Sequence, residues 1–304
     1  MTIDEAISTA CADVGIAPPL GRLDFGRWLK TSTLSGPNGR GDGRVMIHDA
    51  CVTGFNWQTG QSSTVWLKDA NSPAVRKQIR QDIQKQQADR IRRTQEAASI
   101  AARIVAAAEL RTHDYLAAKG FPDELALVVD ASAVAKIGGR YLVPDVGGAA
   151  VVVPARIGTA VRSVQLIWES GEKKFLANGE MGGASHRIAT GRDCWHCEGF
   201  ATGLTLRAAL KALRLNASVL CCFSAANVET VTRGAQGKAY IATDNDKPQP
   251  LLEGFGAGEF YARRSGVPYL LPPSVGDDLN DIHQRDGLFA VQGLICDFLK
   301  GAHR

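Results

Sequence analysis

The feature that most constrains this 304-residue chain is the order of its segments after Asp193. Strand-like and helix-like runs alternate there, and strands that alternate with crossover helices predict a parallel sheet. The predicted elements are, in order, a strand over CWHCE, a helix over TGLTLRAALKALRL, a strand over SVLCCFS, a helix over NVETVTRGA and a strand over KAYIATD. A helix over EGFGAGEFYARRSG, a strand over VPYLLPP and a helix over LFAVQGLICDFLK complete this part of the chain.

Acidic residues follow two of these predicted strands. Glu198 ends the first strand, and Asp244 and Asp246 end the third. Functional groups of parallel sheets gather at the carboxyl ends of the strands. Because one complete strand and its helices separate the first strand from the third, those two strands can lie close together. We therefore expect the three carboxylates to share one crevice.

A second acidic cluster, GDDLND, follows the strand VPYLLPP and contains Asp277, Asp278 and Asp281. It lies at the same edge of the predicted sheet as the first three acids. Carboxylates this close repel one another unless a cation lies between them. Oxygen ligands suit a hard divalent ion, so the pattern predicts a Mg²⁺ or Mn²⁺ site.

Three ordered motifs make this part of the chain similar to a known domain. CEGFATGLTL at 197–206, AYIATDND at 239–246 and DDLND at 277–281 together resemble the TOPRIM domain, which bacterial-type primases, topoisomerases and some nucleases share. The family pattern is Glu-Gly after the first strand and Asp-x-Asp after the third. A single Glu-Gly is weak evidence, but three ordered motifs at strand ends are a strong signal.

The finer sequence is similar to the primases of plasmids, phages and integrative elements. That resemblance depends on Thr202, on Asn227 after the second strand, and on the late Asp-x-Asn-Asp at 278–281. It extends upstream to a Val-rich lobe with paired glycines, and covers about residues 110–300. Only the TOPRIM motifs are specific.

This resemblance implies an α/β fold in three parts. Residues 191–304 would form a TOPRIM parallel-sheet domain with helices on both faces. Residues 119–190 would form an antiparallel β-rich lobe, and residues 1–118 a helical and β N-terminal accessory region. The implied activity is that of a DNA-dependent RNA primase, a nucleotidyltransferase that makes short RNA primers on single-stranded DNA from ribonucleoside triphosphates. The replicating element would be a plasmid, a phage or an integrative element.

The resemblance also implies roles for the acids. Asp244 and Asp246 would hold Mg²⁺ or Mn²⁺ against the triphosphate, and Glu198 would complete the metal site or move a proton. Asp278 and Asp281 are candidates for a second ion or for orienting the first. Thr202 and Asn227 are nucleotide-binding or template-binding candidates.

Basic residues of the β-rich lobe are candidates for contacts with the triphosphate or the template. They are Lys173 and Lys174 in EKKFLANG, with Lys174 favoured because it adjoins Phe175, and Arg187 in SHRIATGR. Lysines that face a metal cleft can bind a nucleic-acid backbone. Solvated lysines on a hairpin are an equally good explanation.

The N-terminal region has three predicted elements. TIDEAISTACADVGI predicts a short helix, and RVMIHDACVTGFNWQTGQSSTVWL predicts a small antiparallel hairpin or meander. From Pro73 to about Ala118 the chain has almost no glycine, which predicts one or two long helices. The first half of this segment is the most basic stretch of the chain. Arg90, Arg92 and Arg93 are weak DNA-binding candidates there, and a solvated helix face explains them as well.

Bulk properties limit the cellular setting. Seven cysteines, an odd number, predict reduced thiols, and a net charge of +4 permits a nucleic-acid partner without requiring one. No apolar run is long enough to span a membrane, and the N-terminus lacks the order of a signal peptide, so we expect a cytoplasmic protein. The chain has no Walker A motif, so a helicase partner would be a separate polypeptide. The first 110 residues contain only Cys11 and Cys51, too few for a zinc ribbon.

Two other functions are compatible with the motifs. A TOPRIM nuclease would use the same acids to direct water at a phosphodiester. A non-catalytic accessory protein would bind single-stranded DNA through a vestigial TOPRIM fold. The lobe with KKFLANG favours the primase over the nuclease, and the intact acids count against a module that only binds polyanionic DNA.

Overall fold

The computed structural model describes residues 1–34, 39–67 and 73–302, and within the long second helix it describes no side chains at 73–80 and 82–83. The chain divides into two compact units. The first contains Met1–Ile91 with Pro248–Phe255, and the second contains Arg92–Lys247 with Gly256–Arg304. The three-part division at residues 118 and 190 stays a prediction.

The first unit contains the predicted helix and meander. Helix α1 (Ile3–Val14) begins with a capping box between Thr2 and Glu5. Four antiparallel strands pair in sequence order: β1 (Trp28–Thr31), β2 (Gly43–Ile47), β3 (Cys51–Asn56) and β4 (Ser62–Trp66). Helix α1 packs its apolar face on one side of this sheet, where Gly54 allows the backbone of Ala10 to approach closely.

Helix α2 (Pro73–Ala107) continues from the first unit into the second and is a single helix. It ends eleven residues before Ala118, so the predicted helical segment was too long. The short strand β5 (Glu109–Arg111) and the short helix α3 (Asp114–Ala118) take up the remainder. The Ala-rich end of α2 buries Ala101 and Ile104 among apolar residues of the second unit, as its composition predicted.

An antiparallel β-rich lobe begins the second unit, as predicted. Its strands pair in sequence order, from β5 through β6 (Ala126–Asp130), β7 (Ala149–Ile157) and β8 (Ala160–Trp168) to β9 (Lys173–Phe175) at the edge. Helix α4 (Ala131–Gly138) and a 3-10 turn at Arg140–Leu142 interrupt the run, which was predicted to be mostly antiparallel β. Helix formers Ala131, Ala133 and Ala135 explain the helix.

The parallel-sheet domain follows. Its strands are β10 (His186–Ala189), β11 (Asp193–Cys197), β12 (Ala217–Cys221), β13 (Ala239–Ala242) and β14 (Tyr269–Leu270), in the spatial order β10-β12-β11-β13-β14. β12, β11, β13 and β14 are parallel to one another, and β10 is an edge strand that pairs antiparallel with β12. The helices are α5 (Phe200–Ala212), α6 (Ala225–Arg233), α7 (Ala257–Ser265), α8 (Leu279–Asp286) and α9 (Leu288–Ala302). The 3-10 turn at Pro250–Leu252, between β13 and α7 in sequence, belongs to the first unit.

Helices cover both faces of this sheet, which is the predicted fold class. α5, α8 and α9 pack on one face, around Trp195 and Val219, in a core that also includes Ile167 of the lobe. α6 and α7 pack on the other face, around Leu220 and Ile241. Sequence analysis did not foresee β10 as part of this sheet, nor helix α8.

All seven cysteines are free thiols, as their odd number predicted. Across the described ranges, no helix is both long enough and apolar enough to cross a bilayer.

Candidate active site

The acids lie where two neighbouring strands end. β11 and β13 are adjacent and parallel, with Cys197 opposite Ala242 at their last paired position. Glu198 directly follows the one, and Asp244 follows the other by two residues. The expectation that these two strands lie side by side is therefore confirmed, and it brings their following acids to the same edge of the sheet.

Four carboxyl groups influence one another at this edge. Burial, together with the charges of Asp246 and Asp278, raises the pKa of Glu198 to about 7, and the charge of Lys173 opposes this rise. Burial also raises the pKa of Asp244 well above its usual value, together with the charges of Glu198, Asp278 and Asp246. We call Glu198, Asp244, Asp246 and Asp278 the acid cluster.

Hydrogen bonds hold the loop that contains the two later acids. Asn245, between them, donates its side-chain amide to the Pro272 carbonyl and its backbone N–H to the Asp277 carbonyl, at 2.8 and 3.0 Å. Helix α7 then packs against the loop: a β-carbon on Gly258 would lie 2.3 Å from the Asp244 carbonyl oxygen. Gly256 and Gly258 of GFGAGE therefore serve close packing at a helix start.

Two members of the acid cluster are bound to backbone amides. Asp246 accepts a hydrogen bond from the Gly258 N–H at 2.8 Å. Asp278 is the N-cap of α8: its Oδ1 accepts the N–H groups of Asn280 and Asp281, at 2.6 and 2.8 Å, and its Oδ2 accepts the Thr202 hydroxyl at 3.0 Å. These oxygens are therefore directed at the protein.

Asp244 differs from its neighbours because its Oδ1 is buried and has no hydrogen-bond partner in the part of the chain that the structure describes. A buried carboxylate oxygen without a partner is costly, and a cation would relieve that cost. The donor set consists of hard carboxylate oxygens, which fits Mg²⁺ or Mn²⁺. Within residues 1–34, 39–67 and 73–302, however, no three His, Cys, Asp or Glu side chains form a preorganised metal site.

Of the two candidate lysines, the structure places Lys173 beside the acids. Its charge lowers the pKa of both Glu198 and Asp244. Lys174, which the sequence favoured, projects from the opposite face of β9 and forms an ion pair with Glu172 at 2.7 Å. Adjacent residues of a strand point to opposite faces, so only one of the pair can face the acid cluster.

The remaining candidates have mainly structural contacts. Asn227 uses its whole side-chain amide: it accepts from the Gly183 N–H and donates to the Ala184 and Cys222 carbonyls, each at 2.7 Å. Arg187 donates to the Ser218 hydroxyl, near the opposite end of β12 from the acid cluster. Asp281 accepts from the Asp278 N–H and closes the capping box of α8.

The basic helix candidates lie around the junction of the two units. The Arg90 guanidinium stacks over the Phe55 ring at 4.3 Å within the first unit. Arg92 pairs with Glu96, four residues later, at 3.8 Å, and Arg93 is exposed. The side chains at the start of this helix lie outside the described part of the chain.

Sequence reasoning missed one contributor to the site. The Ala225 N–H, at the first residue of α6, donates a hydrogen bond to the Glu198 carboxylate and lowers its pKa. The signal was present, because Ser224 before a helical run predicts a helix start and thus free N–H groups at that end of β12.

The fold and the acid cluster together define an α/β domain with converging carboxylates. Residues 194–288, less than half of the chain, match the Toprim domain family. The chain thus carries a TOPRIM parallel-sheet domain preceded by an antiparallel β-rich lobe.

Comparisons with curated proteins and with solved structures do not extend this family match. Among curated proteins, none matches this chain. A chain in a structure of the bacteriophage T7 lagging-strand DNA polymerase, interacting with primase domains of two gp4 subunits bound to an RNA/DNA hybrid and dTTP, is 13% identical. The match covers 48% of this chain and 76% of that chain with a TM-score of 0.36, a likeness too distant to support an argument.

Proposed function

We propose that this protein is a DNA-dependent RNA primase that makes short primers on single-stranded DNA by metal-dependent nucleotidyl transfer. The observation that carries the proposal is the acid cluster at the ends of β11 and β13, in which Asp244 has a buried oxygen with no hydrogen-bond partner among the described residues. The match of residues 194–288 to the Toprim domain family supports it.

The residues divide the proposed reaction among them. In primer synthesis the 3′-hydroxyl of one nucleotide attacks the α-phosphate of the next, and pyrophosphate leaves. Asp244 and Asp246 would hold a divalent ion, which when bound neutralises charge on the triphosphate. Lys173, exposed and without a salt bridge among the described residues, would bind the phosphates.

Glu198 would take the proton of the attacking hydroxyl. A carboxyl group with a pKa of about 7 is partly ionised at neutral pH, so it can both accept and release a proton there. The Ala225 N–H orients this carboxylate. Asp278 is held by Thr202 and by the start of α8, and it would add negative charge near the ion or help to hold a second ion.

The wider assignments rest on the same proposal. The template would be single-stranded DNA, the substrates ribonucleoside triphosphates, and any helicase a separate polypeptide. The host element would be a plasmid, phage or integrative element, and the protein would act in the cytoplasm. The assignment of the host element derives from the similarity of EGFATG, SAANV and the late Asp-x-Asn-Asp at 278–281 to primases of such elements.

The decisive experiment combines single-stranded DNA, labelled ribonucleotides and Mg²⁺ or Mn²⁺. We expect short RNA products from the native protein and none from Asp244→Asn, whose DNA affinity should stay within about twofold because that carboxylate serves the ion and not the strand. Asp145→Asn, an exposed acid of the lobe, is the matched control and should retain synthesis.

The alternatives give different results. DNA shortened without RNA synthesis indicates a nuclease and overturns the primase proposal. DNA binding with neither reaction, under both ions, indicates an accessory protein. Equal synthesis by the native protein and Asp244→Asn contradicts the role of the acid cluster.

A further inference from the structure

An aromatic pair lies next to the acid cluster and has no part in the chemistry described so far. The rings of Phe175, on the edge strand β9, and Phe223, just after β12, lie 6.3 Å apart between centroids at an interplanar angle of 82°. Phe223 is 8% exposed, whereas Phe175 is 38% exposed. The pair thus has a buried member that anchors it and an outer member with open surface.

The backbone of Phe223 is held in an unusual conformation. Its φ is +71°, in the left-handed region that bulky residues rarely adopt. The Phe223 N–H donates to the Glu198 carbonyl at 2.9 Å, which ties the ring-bearing residue directly to an acid of the cluster. Such strained residues persist where surrounding contacts fix them, and they concentrate at functional sites.

Phe175 and Lys173 point to the same face of β9, because they are two residues apart on one strand. Their partners on β8 identify that face. Lys173 lies opposite Ile167, which belongs to the core shared with the parallel sheet, whereas Lys174 lies opposite Leu166 in the separate core behind the lobe. The exposed ring of Phe175 and the Lys173 ammonium group are therefore on the side of the acid cluster, at positions roughly 7 Å apart along the strand.

We propose that the exposed ring of Phe175, supported by Phe223, is a stacking subsite for the base of a nucleoside triphosphate whose phosphates are bound by Lys173. This inference rests on the proposed function for the identity of the ligand. The arrangement matches the parts of such a molecule: an apolar ring for the base, a cation for the phosphates, and carboxylates for the accompanying ion. A phenyl ring stacks on any base, so the subsite would accept all four nucleotides, as a primer-synthesising enzyme requires.

A packing role alone does not explain the exposure of Phe175. Phe223 already fills the buried position, and the open part of the Phe175 ring gains nothing from contact with water. Lys174, between Lys173 and Phe175, differs from both: its side chain points to the opposite face of β9 and forms an ion pair with Glu172.

The test separates base stacking from phosphate binding. Affinities for ATP and for inorganic tripolyphosphate, both with Mg²⁺, are measured by calorimetry on the full chain. We expect Phe175→Ala to weaken ATP binding by roughly 5- to 150-fold and to leave tripolyphosphate binding within about twofold. Phe175→Trp should retain ATP binding. Lys173→Ala should weaken both ligands.

Phe289→Ala is the matched control, because that ring is 85% exposed on α9 and should affect neither ligand. Thermal unfolding verifies that each variant is folded. The inference is overturned if Phe175→Ala weakens both ligands equally, if it leaves ATP binding unchanged, or if the native protein binds ATP no better than tripolyphosphate. If the native protein makes no primers but its ATP binding depends on Phe175, only the proposed function is refuted and the stacking subsite stands.

Discussion

Crowding of the acid cluster predicts that removing one negative charge stabilises the metal-free protein. Glu198→Gln is the sharpest perturbation, because the side chain keeps its shape and loses its charge. The pKa of Glu198 is raised from its usual 4.5 to about 7, mainly by burial and then by Asp246. At about 1.4 kcal/mol per pH unit, this difference corresponds to about 3 kcal/mol. Because the group is half-buried, we expect about 1–3 kcal/mol in practice.

The sign of the pH dependence follows from the direction of the pKa. Glu198 binds its proton more tightly in the folded protein than in the unfolded chain. Its contribution to stability is therefore complete below about pH 4.5 and is lost as the pH rises through about 7. The raised pKa of Asp244 acts in the same direction. The native protein should lose stability between pH 5.5 and pH 8, and Glu198→Gln should lose less.

Thermal unfolding in a chelator, at pH 5.5, 7 and 8, measures the effect. The variant and the native protein should melt nearly together at pH 5.5, and the variant should melt several degrees higher at pH 8. Added Mg²⁺ or Mn²⁺ should then raise the melting temperature of the native protein more than that of the variant. Glu229→Gln is the opposite control: this buried acid accepts from Arg233 and Arg264, so losing its charge should destabilise at pH 8. A Glu198→Gln protein that melts below the native protein in chelator at pH 8 refutes the crowding argument.

Three further predictions follow from contacts of the described residues. Gly258→Ala should lower the unfolding free energy by several kcal/mol and weaken Mg²⁺ binding in calorimetry, because the added β-carbon would lie 2.3 Å from the Asp244 carbonyl oxygen. The control Gly293→Ala, with open space around the added β-carbon, should leave stability unchanged or raise it slightly. Asn227→Ala should lower the unfolding free energy by about 2–4 kcal/mol in urea titrations, because it leaves the Gly183 N–H and two carbonyls unpaired. A loss of nucleotide affinity in the still-folded protein, of the same size in free energy, would instead support a direct binding role. If both Arg92 and Arg93 contact phosphates, replacing them by Gln should reduce the slope of log affinity against log salt concentration for single-stranded DNA by about 1.4, as measured by fluorescence anisotropy. An unchanged slope would indicate that this is a solvated helix face.

The order of elements and the convergence of the acids were predictable, because both depend on local patterns. Alternating strands and helices specify a parallel sheet, and acids after the strands then reach one edge. The choice between Lys173 and Lys174 was not predictable in the same way. It depends on which face of β9 meets the parallel sheet, and only the register of β9 against Ile167 and Leu166 decides that. The proximity of Lys174 to Phe175 in sequence was a misleading signal for the same reason.

Helix α8 was missed although its signal was present. Asp278 and Asp281, three residues apart, form a capping box in which each side chain accepts the backbone N–H of the other. The same acids were interpreted only as candidate metal ligands. Both interpretations treat a carboxylate as an acceptor, and sequence alone does not distinguish an N–H donor from an ion.

Helix starts offset the charge of all but one member of the acid cluster. Glu198 receives the Ala225 N–H at the start of α6, Asp246 receives the Gly258 N–H at the start of α7, and Asp278 caps α8. Each contact pairs a carboxylate with free N–H groups and with the positive end of a helix dipole, so each reduces the cost of a charge at this edge. Among the described residues, no helix start contacts Asp244 in this way, and its buried Oδ1 has no hydrogen-bond partner there. It therefore gains the most from a cation, and the affinity of the site for a divalent ion should depend more on Asp244 than on any of the other three acids.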